Sequence, residues 1–233
     1  FKATGGMRQL PLDAREKILT QVKAVLNDKK INPFYFTNDS ARVISGEEEA
    51  TFAWLTVNLL MDTLVPNSDY STDFPGRGLV IPEKQTFGTI DLGGASSQIS
   101  FFVPNQEIME GMSKVQIGTR RHWNIYTKSY LQYGHTSARH RHLDSITAEG
   151  KVETGAAVVP STLDYCFHAG YREQHRNSES NVMVEVFGPP VPAADQLDRC
   201  IRVLKSNIIG NDGNWYCDQV YNGNCGIAGQ YQP

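Results

Sequence analysis

From residue 11 to 27 apolar positions recur at helical spacing, with Ile18, Leu19, Val22, Val25 and Leu26 on one face, acidic residues early, and Lys29 and Lys30 just past the end. This predicts an amphipathic surface helix. Short extended segments follow at 33–36 and 41–44, around a polar turn at Asn38 and Asp39. A second helix is marked more sharply. Ser45 followed three residues later by Glu48 is a capping box, and Phe52, Ala53, Trp54, Val57, Leu60, Met61 and Leu64 carry the helix on to Pro66. Residues 66–82 read as a loop. Two strand-like runs, 89–92 and 98–103, then flank Gly93 and Gly94, which predicts a hairpin. Farther on, Trp123, Tyr126, Tyr130 and Tyr133 form an aromatic stripe at helical spacing, read as core packing rather than a base-stacking platform. Residues 145–160 are weakly patterned, 182–187 read as a strand ended by Pro189 and Pro190, and 195–207 are again helical. There is no internal repeat or low-complexity tract.

Composition narrows the class of partner. With 233 residues, 40% hydrophobic, 20% charged and a formal net charge of −3, the chain can bury a real core and gives no reason to expect nucleic acid or a membrane surface. The apolar run near Trp54 is broken by Thr56, Asn58 and Asp62, which is too polar for a bilayer span. The chain opens at Phe1 without an initiator methionine or signal segment and reads as a piece of something longer. All four cysteines, Cys166, Cys200, Cys217 and Cys225, lie in the last third without zinc-type spacing, so disulfides in an oxidising compartment are the better reading. His140-Arg141-His142 reads as a solvated basic turn. Asn38-Asp39-Ser40 is a glycosylation sequon, in keeping with that compartment.

Polar chemistry collects in three places. The stretch TIDLGGASSQISF, residues 89–101, puts paired glycines, hydroxyls and Asp91 at the mouth of a hairpin. It is equally a plain polar turn or a phosphate loop: successive backbone N–H groups there form an anion nest, and Asp91 is placed to hold magnesium directly or through water. No Gly-Lys-Ser/Thr follows, so it is not a Walker loop. ATGGMR, residues 3–8, is a small-residue turn into a helix, where Thr4 is either a cap or a ligand for phosphate or metal-bound water. Glu47, Glu48 and Glu49 follow the cap at Ser45. The capping box occupies Glu48, Glu47 reads as solvated, and Glu49 is left at the start of the apolar face, where a carboxylate can take a proton from water.

ATGGMR, ISGEEEATFAWLTVNLL (44–60) and GTIDLGGASSQISF (88–101), in this order, resemble the second, third and fourth apyrase conserved regions of the ecto-nucleoside triphosphate diphosphohydrolase family. WNIYT (123–127), YCFHAGY (165–171) and the tail from Cys225 to Tyr231-Gln232-Pro233 extend the likeness nearly end to end. The resemblance implies an α/β, actin-like (ribonuclease-H-like) fold of two lobes with nucleotide in the cleft, residues 1–45 ending the first lobe and 46–233 forming most of the second. It implies hydrolysis of nucleoside tri- and diphosphates with magnesium or calcium, outside the cell or in the secretory lumen. The family's water-activating glutamate falls on Glu49, and the serine and glutamine that position that water fall on Ser96 and Gln98. Asp91 matches the aspartate that organises the metal through water, Thr4 the threonine near the same ion, and Gly93, Gly94 and Ala95, with Ser96, the phosphate cradle. The implied disulfides are Cys166–Cys200 and Cys217–Cys225.

Departures from the family pattern are Ala50, where glycine is usual, and Gln132, where vertebrate members carry a cysteine whose partner is also missing near 182–187. The first and fifth conserved regions would lie before Phe1 and after Pro233, so the isolated 233-residue chain is expected to be nearly inactive. In-line attack on a terminal phosphorus needs a positioned water, a proton acceptor and dense N–H or positive character around the equatorial oxygens. Each has a candidate here. Two other readings compete: an actin-fold kinase using DLGG as its phosphate loop, against which the preceding glutamate helix argues, and a non-catalytic nucleotide-binding protein that keeps the fold.

Overall fold

A computed structural model describes residues 1–64, 86–103, 111–117, 121–148 and 160–209, in two compact units, Phe1–His135 and Thr136–Pro233. In the first, strand β1 (Lys2–Ala3) pairs in parallel with β2 (Arg42–Val43), and helices α1 (Gly5–Arg8) and α2 (Leu12–Asn27) lie between them in sequence. Helix α2 follows the predicted bounds, with Asp13 in its first turn, where the macrodipole favours negative charge, and none of its residues is buried. Of the two extended segments expected near Asn38, only Arg42–Val43 pairs as strand, and Asn38–Ser40 is a 3-10 turn. The lobe boundary expected at 45/46 falls inside this unit, between β2 and the next helix.

That helix, α3 (Gly46–Leu60), begins with the expected capping box: Ser45 Oγ accepts from the Glu48 amide at 3.0 Å, and a Glu48 carboxylate oxygen accepts from the Ser45 amide at 3.3 Å. It stops short of Pro66. Asp62 takes a left-handed φ of 53°, and the chain is gathered back by fully buried Asn58, whose amide bonds Trp54 O, Phe87 O, Phe87 N and Thr63 Oγ1. A polar residue inside an apolar helix is thus fully satisfied and ties α3 to the strand that follows.

Strands β3 (Thr89–Leu92), β4 (Ser96–Phe102), β5 (Met112–Ile117) and β6 (Arg121–Leu131) form an antiparallel sheet in the order β3-β4-β6-β5. The aromatic stripe at 123–133 is therefore strand, not helix. Alternation, not the i, i+3, i+7 coincidence, decides: Trp123, Ile125 and Thr127 share one face of β6, and Tyr126 and Tyr130 the other, all buried because β6 is a central strand. Trp123 packs tilted against Trp54 of α3 with ring centroids 6.1 Å apart, and these two with Leu64, Val115 and Ile125 make the core under the helix. The strand ends at Leu131, just before Gln132, whose φ is 72°, so Tyr133 lies beyond it.

The second unit takes up helix α4 (His135–Thr147) beyond the unit boundary, then strands β7 (Ser161–Leu163), β8 (Arg172–Arg176) and β9 (Met183–Phe187) in the order β7-β9-β8, and helix α5 (Gln196–Leu204) running into a π turn, Lys205–Ile209. His140-Arg141-His142 is not a solvated turn. It lies within α4, and His142 is buried with Nε2 2.9 Å from Asp164 Oδ2, a bond across sequence that no local pattern announces. Cys166 and Cys200 form a disulfide that ties the segment after β7 to α5. Cys217 and Cys225 lie outside the described residues, as do the expected loop from Pro66 to Pro82 and most of the weakly patterned stretch before Pro160. Among the described residues no helix is long and apolar enough to cross a membrane.

Candidate active site

Two glycines let three elements meet. A Cβ on Gly5 of α1 would stand 2.5 Å from Ser96 Oγ, and one on Gly46 of α3 would stand 2.1 Å from Ser129 Oγ, so only glycine lets these backbones lie so close to β4 and β6. One turn into α3, Glu49 then faces the sheet. Gln98 Nε2 reaches Ser96 Oγ at 2.7 Å, Ser129 Oγ at 3.0 Å and Glu49 Oε2 at 3.2 Å. Arg8 joins the same group: its Nη2 donates to Glu49 Oε2 at 2.8 Å and to Ser96 Oγ at 3.1 Å, while Nη1 donates to Ile44 O at 3.0 Å. The Arg8 and Glu49 side chains are only 14% and 18% exposed. Two acceptors in this network take no hydrogen bond from a described residue. Glu49 Oε1 accepts from no described residue, and Gln98 Oε1 is buried without a partner.

The neighbouring glutamates point elsewhere. Glu47 is exposed, and Glu48 is held by Arg42 and by the cap. The Arg42 hydrogen bonds are the largest reason the Glu48 carboxyl is pulled down to about 2 from its usual 4.5.

The turn between β3 and β4 is clamped from behind. Gly93 O accepts from the His135 amide at 2.9 Å, Ala95 O accepts from the Gln132 amide at 2.8 Å, and a Cβ on Gly134 would stand 2.5 Å from Gly93 O and from Ser96 N. Neither Gly93 nor Gly94 adopts a positive φ, and a Cβ on Gly93 would stand 3.1 Å from Ser96 O, so closeness of approach rather than an unusual dihedral is what Gly93 provides. The Gly94 and Ala95 amides donate to no described group, which leaves them for an anion.

Glu49 also lines an open groove of about 440 Å³ with Phe52, Ala53, Thr56, Val57, Thr89, Ile90 and Asp91. Asp91 sits opposite Gln98 in the hairpin register, and its carboxylate takes no hydrogen bond from a described residue. Thr4 is exposed at the start of α1 and does not cap it through its side chain. Carboxylate and hydroxyl oxygens are hard donors of the kind a hydrated magnesium or calcium ion takes, and Asp91 and Thr4 each offer one. In the other unit His142, Asp164 and Cys166 cluster at ligand distances, but Cys166 is in a disulfide and offers no thiolate.

Of the site residues read from sequence, Glu49, Ser96 and Gln98 share one hydrogen-bonded group, Asp91 lies on the same groove as Glu49, Gly93, Gly94 and Ala95 make the adjoining turn, and Thr4 precedes the glycine packed on Ser96. Arg8 and Ser129 were not singled out. The signal for Arg8 was present, since it ends ATGGMR and a half-buried carboxylate on another motif calls for a cation; Ser129 carried none.

Over residues 1–233 the sequence matches the GDA1/CD39 (nucleoside phosphatase) family. It is 30% identical to ectonucleoside triphosphate diphosphohydrolase 8 of Gallus gallus, over 99% of this chain and 45% of that protein. To ectonucleoside triphosphate diphosphohydrolase 1 of Mus musculus it is 30% identical, over 76% of this chain and 32% of that protein. A crystal structure of nucleoside triphosphate hydrolases from Neospora caninum aligns with a TM-score of 0.52 at 19% identity, covering 74% of this chain and 30% of that one. This last likeness shows the fold, an actin-like α/β class of which the chain covers part. The chain spans less than half the length of each of these relatives.

Proposed function

The chain belongs to the GDA1/CD39 (nucleoside phosphatase) family, and we propose that its site hydrolyses nucleoside tri- and diphosphates by in-line attack of water on the terminal phosphorus. The observation that carries this reading is Glu49 on the groove, its Oε2 held by Arg8 and Gln98 and its Oε1 taking no hydrogen bond from a described residue. A water molecule has two O–H groups to give. One goes to Glu49 Oε1, the carboxylate oxygen that Arg8 and Gln98 leave without a donor. Ser96 Oγ, held by Arg8 and Gln98, completes the setting of that water.

As the water oxygen bonds phosphorus, its proton passes to Glu49 and the bond to the bridging oxygen breaks. The Gly94 and Ala95 amides receive the equatorial oxygens, where fixed dipoles stabilise the charge that develops. A hydrated magnesium or calcium ion held through water by Asp91 and Thr4 would supply further positive charge at the phosphates. Residues 1–45 end one lobe of the fold and 46–233 belong to the other. The Cys166–Cys200 disulfide and the Asn38 sequon support a place outside the cell or in the secretory lumen.

The test is phosphate release by the full-length protein from a panel of nucleoside tri-, di- and monophosphates, with and without a chelator. Release from tri- and diphosphates that needs a divalent cation and no acceptor sugar is the expected result. Transfer that requires a sugar, or nucleotide binding without turnover, would overturn the reading.

A further inference from the structure

The hydrolytic reading assigns a task to Glu49, Ser96, Gln98 and the turn amides but none to Arg8, which touches two of them. We infer that Arg8 is a positioning residue, which pins Glu49 Oε2 so that Oε1 is the oxygen that takes the proton. This rests on the proposed hydrolysis.

The two oxygens of a carboxylate exchange places by rotation, and a base must present one of them at a fixed spot. Here Oε2 accepts from Arg8 Nη2 at 2.8 Å and from Gln98 Nε2 at 3.2 Å, while Oε1 takes nothing from a described residue. The guanidinium that does the pinning is itself fixed. Nη1 is bonded to Ile44 O, just before the cap of α3, and Nη2 is shared with Ser96 Oγ on β4. One planar fork therefore sets the base, the backbone that delivers the base, and the hydroxyl beside the water. A lysine has the charge but not the fork. The bland alternative is that Arg8 only ties α1 to α3, in which case its loss lowers stability and leaves the folded protein's turnover alone.

The experiment compares Arg8→Ala, Arg8→Lys and Glu49→Gln in the full-length protein by steady-state phosphate release from ATP and ADP, with circular dichroism to establish folding. Arg8→Ala is expected to lower kcat about 10²-fold with KM within about threefold, the scale on which a misplacement near 1 Å acts, and added guanidinium ion should recover about tenfold of that loss. Arg8→Lys should lie between Arg8→Ala and the parent protein. A folded Arg8→Ala with the parent's kcat beside an inactive Glu49→Gln overturns the positioning role and leaves the hydrolytic reading standing. An active Glu49→Gln removes the base itself, and this inference goes with it. If Arg8→Ala does not fold, Arg8→Lys decides: the parent's kcat overturns the fork, and a loss of about tenfold or more in kcat at unchanged KM upholds it.

Discussion

Three consecutive glutamates at the start of α3 face three different surroundings, and replacing two of them separately tests the division. Glu49→Gln keeps the side chain's volume. Because Arg8 Nη2 and Gln98 Nε2 both donate at the Oε2 position, the new amide must turn its oxygen toward them and its NH₂ toward the groove. A donor then stands where the water needs an acceptor. Losing general-base assistance costs about 10²–10⁴-fold in kcat, or roughly 3–5 kcal/mol of barrier. Nucleotide binding should persist. Stability should fall by about 1–2 kcal/mol, since the Arg8 bond continues with a neutral acceptor. Glu48→Gln is the control. Glutamine can still receive the Ser45 amide, and what is lost is an ion pair whose two side chains are 41% and 38% exposed, worth about 0.2–1 kcal/mol. Its kcat should match the parent's. Phosphate release and thermal denaturation on both variants decide the matter: if Glu48→Gln is the dead variant and Glu49→Gln turns over normally, the assignment of the base is wrong.

Gly46→Ala puts a methyl 2.1 Å from Ser129 and must push the start of α3 off β6, so it should cost about 1–3 kcal/mol in thermal denaturation and lower kcat by up to about 10²-fold as Glu49 moves from Gln98. Acid should act through Glu48. Its folded pKa is depressed from 4.5 to about 2, so its contribution is fully present above pH 4.5 and lost as pH falls from there toward 2, and Arg42→Met should show a shallower decline of melting temperature across that window. Removing the Cys166–Cys200 bridge with a double Cys→Ser change should destabilise the protein by about 2–4 kcal/mol, and a melting temperature insensitive to reductant would refute a structural role for it.

What the sequence made legible is what local rules govern. The capping box at Ser45 and the hairpin around Gly93 each depend on a few adjacent residues, and both stand in the structure within a residue or two of their expected bounds. Long-range partners govern the rest. The aromatic spacing over 123–133 fits a helix, and it is the alternation of buried faces, made by pairing with β4 and β5, that marks 123–131 as strand. The end of α3 is set by Asn58 reaching Phe87 across a gap of 29 residues, not by the proline that composition offered. His142 looked like a solvated basic residue because its partner Asp164 lies 22 residues away.

The site itself shows how a local rule is converted into long-range geometry. Helix positions advance by about 100° each, so fixing the rotational phase of the first turn decides which of three adjacent glutamates meets the sheet. The capping box does this by turning Glu48 back onto Ser45, where Arg42 also holds it. With that phase set, Glu47 points to solvent and Glu49 toward β4. Phase alone does not fix distance. The contact of Gly46 with Ser129 does, since any side chain at 46 would hold the helix away, and Gly5 plays the same part for α1 against Ser96. Arg8, delivered by α1, can then bridge the two elements. Gly5 of ATGGMR and Gly46 of ISGEEEA are thus as much a part of the constellation as its charged residues, although nothing in their own chemistry marks them as such.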